Sequence, residues 1–136
     1  MQIRFDLEAG SFRGAPGWSA ERLPARPLGD GSYELCAVPT LVYDVALGDV
    51  VRCRSNPAED ALDVEAVIRR GGHRTLRLQA AEKELEQAAR IAGESGTGPG
   101  EWAPDGSASF DVPSSVDADQ LRRRLSALPG LRVHLG

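Results

Sequence analysis

Three features of the chain predict an α+β fold, with a small curved antiparallel sheet or open barrel followed by a β-α-β-α-β (ferredoxin-like) layer. Up to about Leu78, apolar and polar residues alternate with the period of two that half-buried strands require. Glycine and proline clusters interrupt this alternation often enough to make the strands short. After Gln79 the apolar residues recur near the helical period instead. The 136 residues match the length of one ordinary domain. The sequence therefore predicts a single α+β domain over 1–136, with a β-rich half over 1–78 and a helix-containing half over 79–136.

Met1 to Leu7 sets Ile3, Phe5 and Leu7 against Gln2, Arg4 and Asp6, which predicts the opening strand. Gly10 to Trp18 reads as a loop whose Phe12 or Trp18 folds back onto the core. Glu21–Leu28 and Ser32–Val38 flank Gly29-Asp30-Gly31, a hairpin turn in which positive φ angles suit the strand twist. Pro24 and Pro27 lack an N–H donor, which predicts an edge or bulged position for the first of these strands. Thr40 to Leu47 is an apolar connector to Gly48-Asp49, and strands follow over Val50–Arg54 and Leu62–Ile68. Gly71-Gly72 breaks the second of them, and Thr75–Leu78 resumes with Leu76 and Leu78 opposite Thr75 and Arg77.

Ala80 to Ala92 carries Leu85, Ala88, Ala89 and Ile91 on one face, a helix ended by Gly93. Glu94 to Gly106 is rich in glycine and proline, with Trp102 as its single large apolar residue, and reads as a surface loop. Ser107–Val112 is a strand, Asp117 or Ser115 can cap a helix over Ala118–Leu128, and Leu131–Leu135 closes the sheet. Both helices are expected on one sheet face.

Composition narrows the function classes. The formal net charge of −4 and an aromatic content of 5% disfavour nucleic acid as a partner, which calls for a basic balance and stacking groups. Arginine supplies nearly all the positive charge, with Lys83 the single lysine. No apolar run is long enough to span a bilayer, and Met1 to Phe5 lacks the pattern of an export leader, so the expectations are no membrane and a cytoplasmic location. Cys36 and Cys53 lie far apart within strand-like runs, which predicts small buried hydrophobes without a disulfide. Neither metal-ligand spacing, phosphate loop nor nucleophile elbow occurs, so no metal and no cofactor are expected.

Six segments, taken in order, carry a family resemblance: Glu21-Arg22-Leu23, Leu28-Gly29-Asp30-Gly31-Ser32-Tyr33, Val38-Pro39, Leu47-Gly48-Asp49-Val50-Val51, Gly72-His73-Arg74-Thr75-Leu76-Arg77 and Phe110-Asp111-Val112-Pro113. The chain from about Phe5 to Pro113 resembles the bacterial family of domain of unknown function 4265. The family pattern has tryptophan where Pro24 stands, aromatics where Thr40 and Leu41 stand, and serine where Arg74 stands. The resemblance implies the order of elements and carries no catalytic assignment.

His73 is the catalytic candidate among two histidines, because it follows two glycines that permit close backbone approach and its imidazole can shuttle a proton near neutral pH. Arg74, Arg77 and Asp49 are the binding candidates beside it, with Asp49 brought close by sheet pairing. The competing structural readings are plain. His73 can fix the bend through one hydrogen bond, Asp49 can fix its own turn, and Asp111 is expected to be a solvated surface acid. Trp102 is a further binding candidate, as an exposed-loop aromatic. Arg122-Arg123-Arg124 points in three directions around a helix, which predicts a solvated face rather than a basic site. The expected function is a non-enzymatic module for a peptide, a protein or a small anionic ligand. The alternative is a small acid–base enzyme acting on a metabolite or natural-product intermediate, with His73 as its proton carrier.

Overall fold

Nine strands, two α-helices and one short 3₁₀ turn (Pro57–Glu59) are formed among residues 1–8 and 12–136, the residues that the computed structural model describes. Five strands, β1 (Gln2–Asp6), β2 (Ala20–Pro27), β3 (Ser32–Leu35), β4 (Val50–Asn56) and β5 (Ala61–Arg69), pair antiparallel in chain order. Parallel pairing of β1 with β5 at Arg4 and Asp63 then closes the sheet into a barrel. The pair at the closure is itself a staple. Arg4 Nη1 reaches the two Asp63 oxygens at 3.2 and 3.3 Å, and Asn56 Nδ2 donates to Asp63 at 2.7 Å.

The barrel core is the alternation made solid: Ile3 and Phe5 from β1, Leu23 and Ala25 from β2, Leu35, Val51 and Val64, with Val42 and Val45 from the connector. Phe12 folds back onto it, edge to face with Phe5 at 5.1 Å, whereas Trp18 stays partly exposed. Gly10 lies outside the described residues. At the hairpin the positive φ angles fall on Gly29 and Gly31, while Asp30 accepts from the Ser32 amide at 3.0 Å and from its hydroxyl. β2 is not an edge strand. It pairs with β1 over Ala20–Pro24 and with β3 over Ala25–Pro27, and Pro24 stands where it changes partner, its carbonyl accepting from Cys36 N–H at 3.0 Å. The register shifts lie instead between β4 and β5. Cys36, placed just past β3, is exposed rather than buried; Cys53 is half-buried, and burial pushes its thiol up to about 11, where it stays un-ionised.

The second sheet contains β6 (Arg74–Gln79), β7 (Gly100–Trp102), β8 (Ala108–Val112) and β9 (Arg132–Leu135) in the order β7-β8-β6-β9, all neighbours antiparallel. With α1 (Glu82–Glu94) and α2 (Ala118–Ser126) the chain runs β-α-β-β-α-β, the split ferredoxin-like arrangement. Thus the segment read as one surface loop contains an extra edge strand, too short and too exposed to leave a periodic signal. α1 continues one residue past Gly93. Ser95 is its C-cap, and Gly96 takes the left-handed conformation at φ +99°. Asp117 caps α2, accepting from Gln120 N–H at 3.1 Å. Leu85, Ala88 and Ala92 of α1 and Leu121 and Leu125 of α2 share one core with Leu76, Leu78, Phe110, Val112 and Leu135. Both helices therefore cover one face of this sheet. Among the described residues no helix is long and apolar enough to cross a membrane.

The other face of the second sheet is polar and buried. Thr75, Arg77, Ser107, Ser109 and Asp111 are all excluded from solvent, and Thr75, Arg77 and Ser107 find partners in chain segments that the alternation does not reveal. Arg77 donates to the carbonyl of Thr40, to Asp105 at 3.1 Å and to Ser107 Oγ at 3.0 Å, and its guanidinium lies 4.8 Å from the centre of the Tyr43 ring. Thr75 Oγ1 donates to Val45 O at 2.8 Å. The connector that meets these groups is held from its other side by Glu21. This inward-facing carboxylate of β2 accepts from the amides of Thr40, Leu41 and Val42 at 3.0, 2.9 and 2.9 Å and from the Thr40 hydroxyl at 2.6 Å. Four donors on one carboxylate leave no room for an amide NH2 in its place.

Two outcomes follow for stability. Glu21→Gln should destabilise the protein by about 2–3 kcal/mol, because a charge-assisted acceptor is lost and backbone donors are left unpaired. If residues 1–136 form one cooperative domain, near- and far-ultraviolet circular dichroism will lose signal in a single coincident transition for wild type and variant. The second outcome concerns acid. Burial alone would raise the Asp105 carboxyl, but the Ser107 hydroxyl and amide and the nearby Arg77 outweigh it and hold its pKa below the usual carboxylate value. The unfolded chain binds this proton more readily. The resulting stabilisation is complete above about pH 4 and disappears as pH falls through the depressed folded value. Asp105→Asn should therefore unfold at lower urea than wild type at neutral pH, with the gap closing as pH falls through the depressed folded value.

Candidate functional site

Where the barrel passes to the second sheet, two glycines touch. A Cβ built on Gly71 would lie 2.5 Å from the carbonyl oxygen of Gly48, so only glycine permits this crossing of two backbones. Asp49, fully buried, locks it: its oxygens accept from Gly71 N–H at 2.9 Å, Ala46 N–H at 3.0 Å and Arg70 Nη1 at 3.0 Å. Arg70 Nη1 also donates to Asp44 O at 2.6 Å. The turn 44–49 and the start of β6 are thereby fixed against each other, and a cleft of about 420 Å³ opens between them. His73, Arg74, Arg70, Asp44 and Asp49 line it.

His73 leaves the barrel just ahead of β6, opposite the end of β8. Its Nδ1 lies 2.8 Å from Asp111 Oδ1. A carboxylate has no proton to give, so Nδ1 carries the hydrogen and the neutral ring presents a lone pair at Nε2. Among the described residues Nε2 has no hydrogen-bond partner. The ring is about one-third exposed, with its side chain at 31%, and it borders both this cleft and a second one of about 540 Å³ that Cys36, Gly48 and Arg69 also line. Arg74 also lines the cleft and makes one long bond, to Leu135 O at 3.4 Å. This arrangement can orient an imidazole, present its Nε2 to a ligand and offer an arginine to a negative charge.

Of the residues singled out in the sequence, His73, Arg74 and Asp49 line one cleft, although Asp49 is consumed by the turn and does not contact His73. Arg77 and Trp102 do not line it. Arg77 is buried in the seam with its donors engaged, and Trp102 stands on the edge strand β7 with 61% of its surface exposed. Asp111 is not the solvated acid that alternation predicts, because the face it shares with Ser109 is turned toward the barrel side. Its cross-strand pairing with Thr75, two residues from His73, was the missing signal, and it exists only once β6 and β8 are aligned. Among the described residues no group of three or more metal-ligating side chains assembles. Arg122 and Arg124 make separate contacts, to Leu135 O and to Ser95 and Glu94.

A five-stranded barrel fused to a split β-α-β layer, with a histidine–carboxylate pair at their junction, defines an α+β protein class. Within it, the chain belongs to the family described as Domain of unknown function (DUF4265), whose model matches residues 21–130. Among solved structures it is similar to one described as a novel crystal structure of a hypothetical protein from Neisseria gonorrhoeae, with a TM-score of 0.74 and 14% identity over 98% of this chain and 93% of that one. At that identity the likeness shows the fold. Comparison with curated proteins gives no match.

The glycine crossing is directly testable. Gly71→Ala places a methyl group against a backbone carbonyl that Asp49 holds in position, and should cost about 1–3 kcal/mol. The His73 ring signal in a proton NMR spectrum should move with it, whereas Gly93→Ala, where a Cβ meets open space, should leave that signal unchanged.

Proposed function

We propose that the cleft between the turn 44–49 and the start of β6 binds a small anionic ligand, with His73 as its hydrogen-bonding and proton-exchanging contact and Arg74 as its counter-charge. The observation that carries this reading is the geometry of His73, held through Nδ1 by Asp111 at 2.8 Å while Nε2 is left for a ligand at the lip of the cleft. A histidine used only to fix a bend would be satisfied by that single bond. Here the same cleft is also lined by Arg74, which makes one long bond. The volume of about 420 Å³ falls in the range of small-molecule sites. A protein or peptide partner finds less support, since Trp102 stands apart from this cleft.

A second reading is favoured by the Asp111 contact specifically. A carboxylate that fixes the tautomer and stabilises the imidazolium is how acid–base enzymes poise a histidine. Nε2 would take a proton from the bound substrate while the Nδ1 hydrogen stays on the ring, and would return a proton to the product. Binding and catalysis then use the same residues on the same ligand.

A panel of small carboxylates and phosphate monoesters, screened by ligand-observed NMR against the whole chain, tests both. His73→Gln and Arg74→Gln should each weaken the best binder about tenfold or more, with melting temperatures within a few degrees of wild type. Binding retained by both variants would sink the anion reading. Conversion of the ligand by wild type that is lost in His73→Gln and strongly reduced in an Asp111→Asn variant that still binds the ligand would establish the enzyme.

A further inference from the structure

We infer that a second, smaller oxyanion site lies on the strand pair β6–β9, separate from the His73 cleft and built around His134 and Arg132. The register sets Arg77 opposite His134 and Gln79 opposite Arg132, so four polar side chains occupy a two-by-two block on the barrel-facing side of the sheet. Val133 and Leu135 alternate to the other side, toward the helices. Tyr43 roofs the block from the connector, its ring 5.4 Å from that of His134 and tilted by 31°, and beneath the Arg77 guanidinium at 4.8 Å. Together with Val133 these groups enclose a cleft of about 120 Å³ that no acidic residue lines.

The charges around this cleft do not cancel within it. Arg77 is balanced from behind by Asp105 at 3.1 Å. The nearest acid on the connector, Asp44, is paired with Arg13 at 2.9 Å and borders the other cleft. Arg132 makes no ion pair and His134 no hydrogen bond among the described residues. What remains is one uncompensated guanidinium, one imidazole, an amide and a phenol around a space below the usual range for drug-sized ligands. A guanidinium and an imidazole side by side on one strand, facing a small space, suit a carboxylate or phosphate oxygen set, either as a free ion or as the terminal group of a larger ligand.

Titration with inorganic phosphate, and separately with acetate, at fixed pH and at ionic strength held constant with sodium chloride, tests the site through the histidine ring resonances. One of the two anions should shift the His134 ring signals saturably, with a dissociation constant of about 1 mM. Which anion does so tells phosphate from carboxylate chemistry. Arg132→Gln, at an exposed position, should weaken that response about tenfold while the backbone amide spectrum stays folded, and His73→Gln should titrate like wild type. A response of His134 that is linear, equal to that with chloride alone, or unchanged in Arg132→Gln would overturn the inference. So would saturable shifts confined to His73, which would instead support the larger cleft alone.

Discussion

The buried polar face of the second sheet joins the two halves of this protein, with Arg77 donating to the carbonyl of Thr40 and Thr75 to that of Val45. Sheet faces normally hide apolar residues from water, and the helix side of the second sheet does so with Leu76, Leu78, Phe110 and Val112. Its opposite side hides Thr75, Arg77, Ser107 and Asp111. Burying such groups is costly unless each finds a partner. The connector 40–46 supplies carbonyls in an irregular stretch where no strand ladder has already used them. The satellite cluster of Ala15, Leu41 and Ala103 adds a small apolar contact across the same junction.

Irregular backbone needs its own amides satisfied, and here carboxylates do this work twice. Glu21 gathers the amides of residues 40–42, and Asp49 those of Ala46 and Gly71. Each carboxylate projects from the barrel side and fixes an irregular loop; residues 41–43 are also bridged to residues 13–15. The cleft beside His73 is the space between the loops so fixed. Its walls are therefore set by hydrogen bonds rather than by core packing, and its shape is as rigid as Asp49 and the Gly48–Gly71 crossing make it. The clefts beside His73 and His134 each take part of their lining from the connector and part from the second sheet.

Much of the fold was legible because it rests on periodicity. The alternation in Ile3-Phe5 and Leu23-Ala25, the glycines at 29 and 31, and the stripes Leu85-Ala88-Ala92 and Leu121-Leu125 each report which face meets the core. Elements without a period were missed: β7 is three exposed residues, and α1 runs through Gly93 to Glu94, with Ser95 as its C-cap and the left-handed residue at Gly96. Barrel closure was invisible as well, since it depends on a single parallel pairing between Arg4 and Asp63, 59 residues apart.

The sequence by itself determined the periodic strands, the helices and the family, and it marked His73, Arg74, Asp49 and Arg77 as residues worth placing. It did so because local alternation and turn chemistry depend on neighbours in the chain. Only the tertiary structure decided what those residues touch. Arg77 could equally have met solvent or a ligand, and Asp111 read as a surface acid, because a polar residue in a strand looks the same whether water or another backbone lies opposite. Alignment of β6 with β8 and β9 and the docking of the connector settled that choice, by bringing together groups 38 residues apart in the His73–Asp111 pair and 37 apart in the Arg77–Thr40 bond.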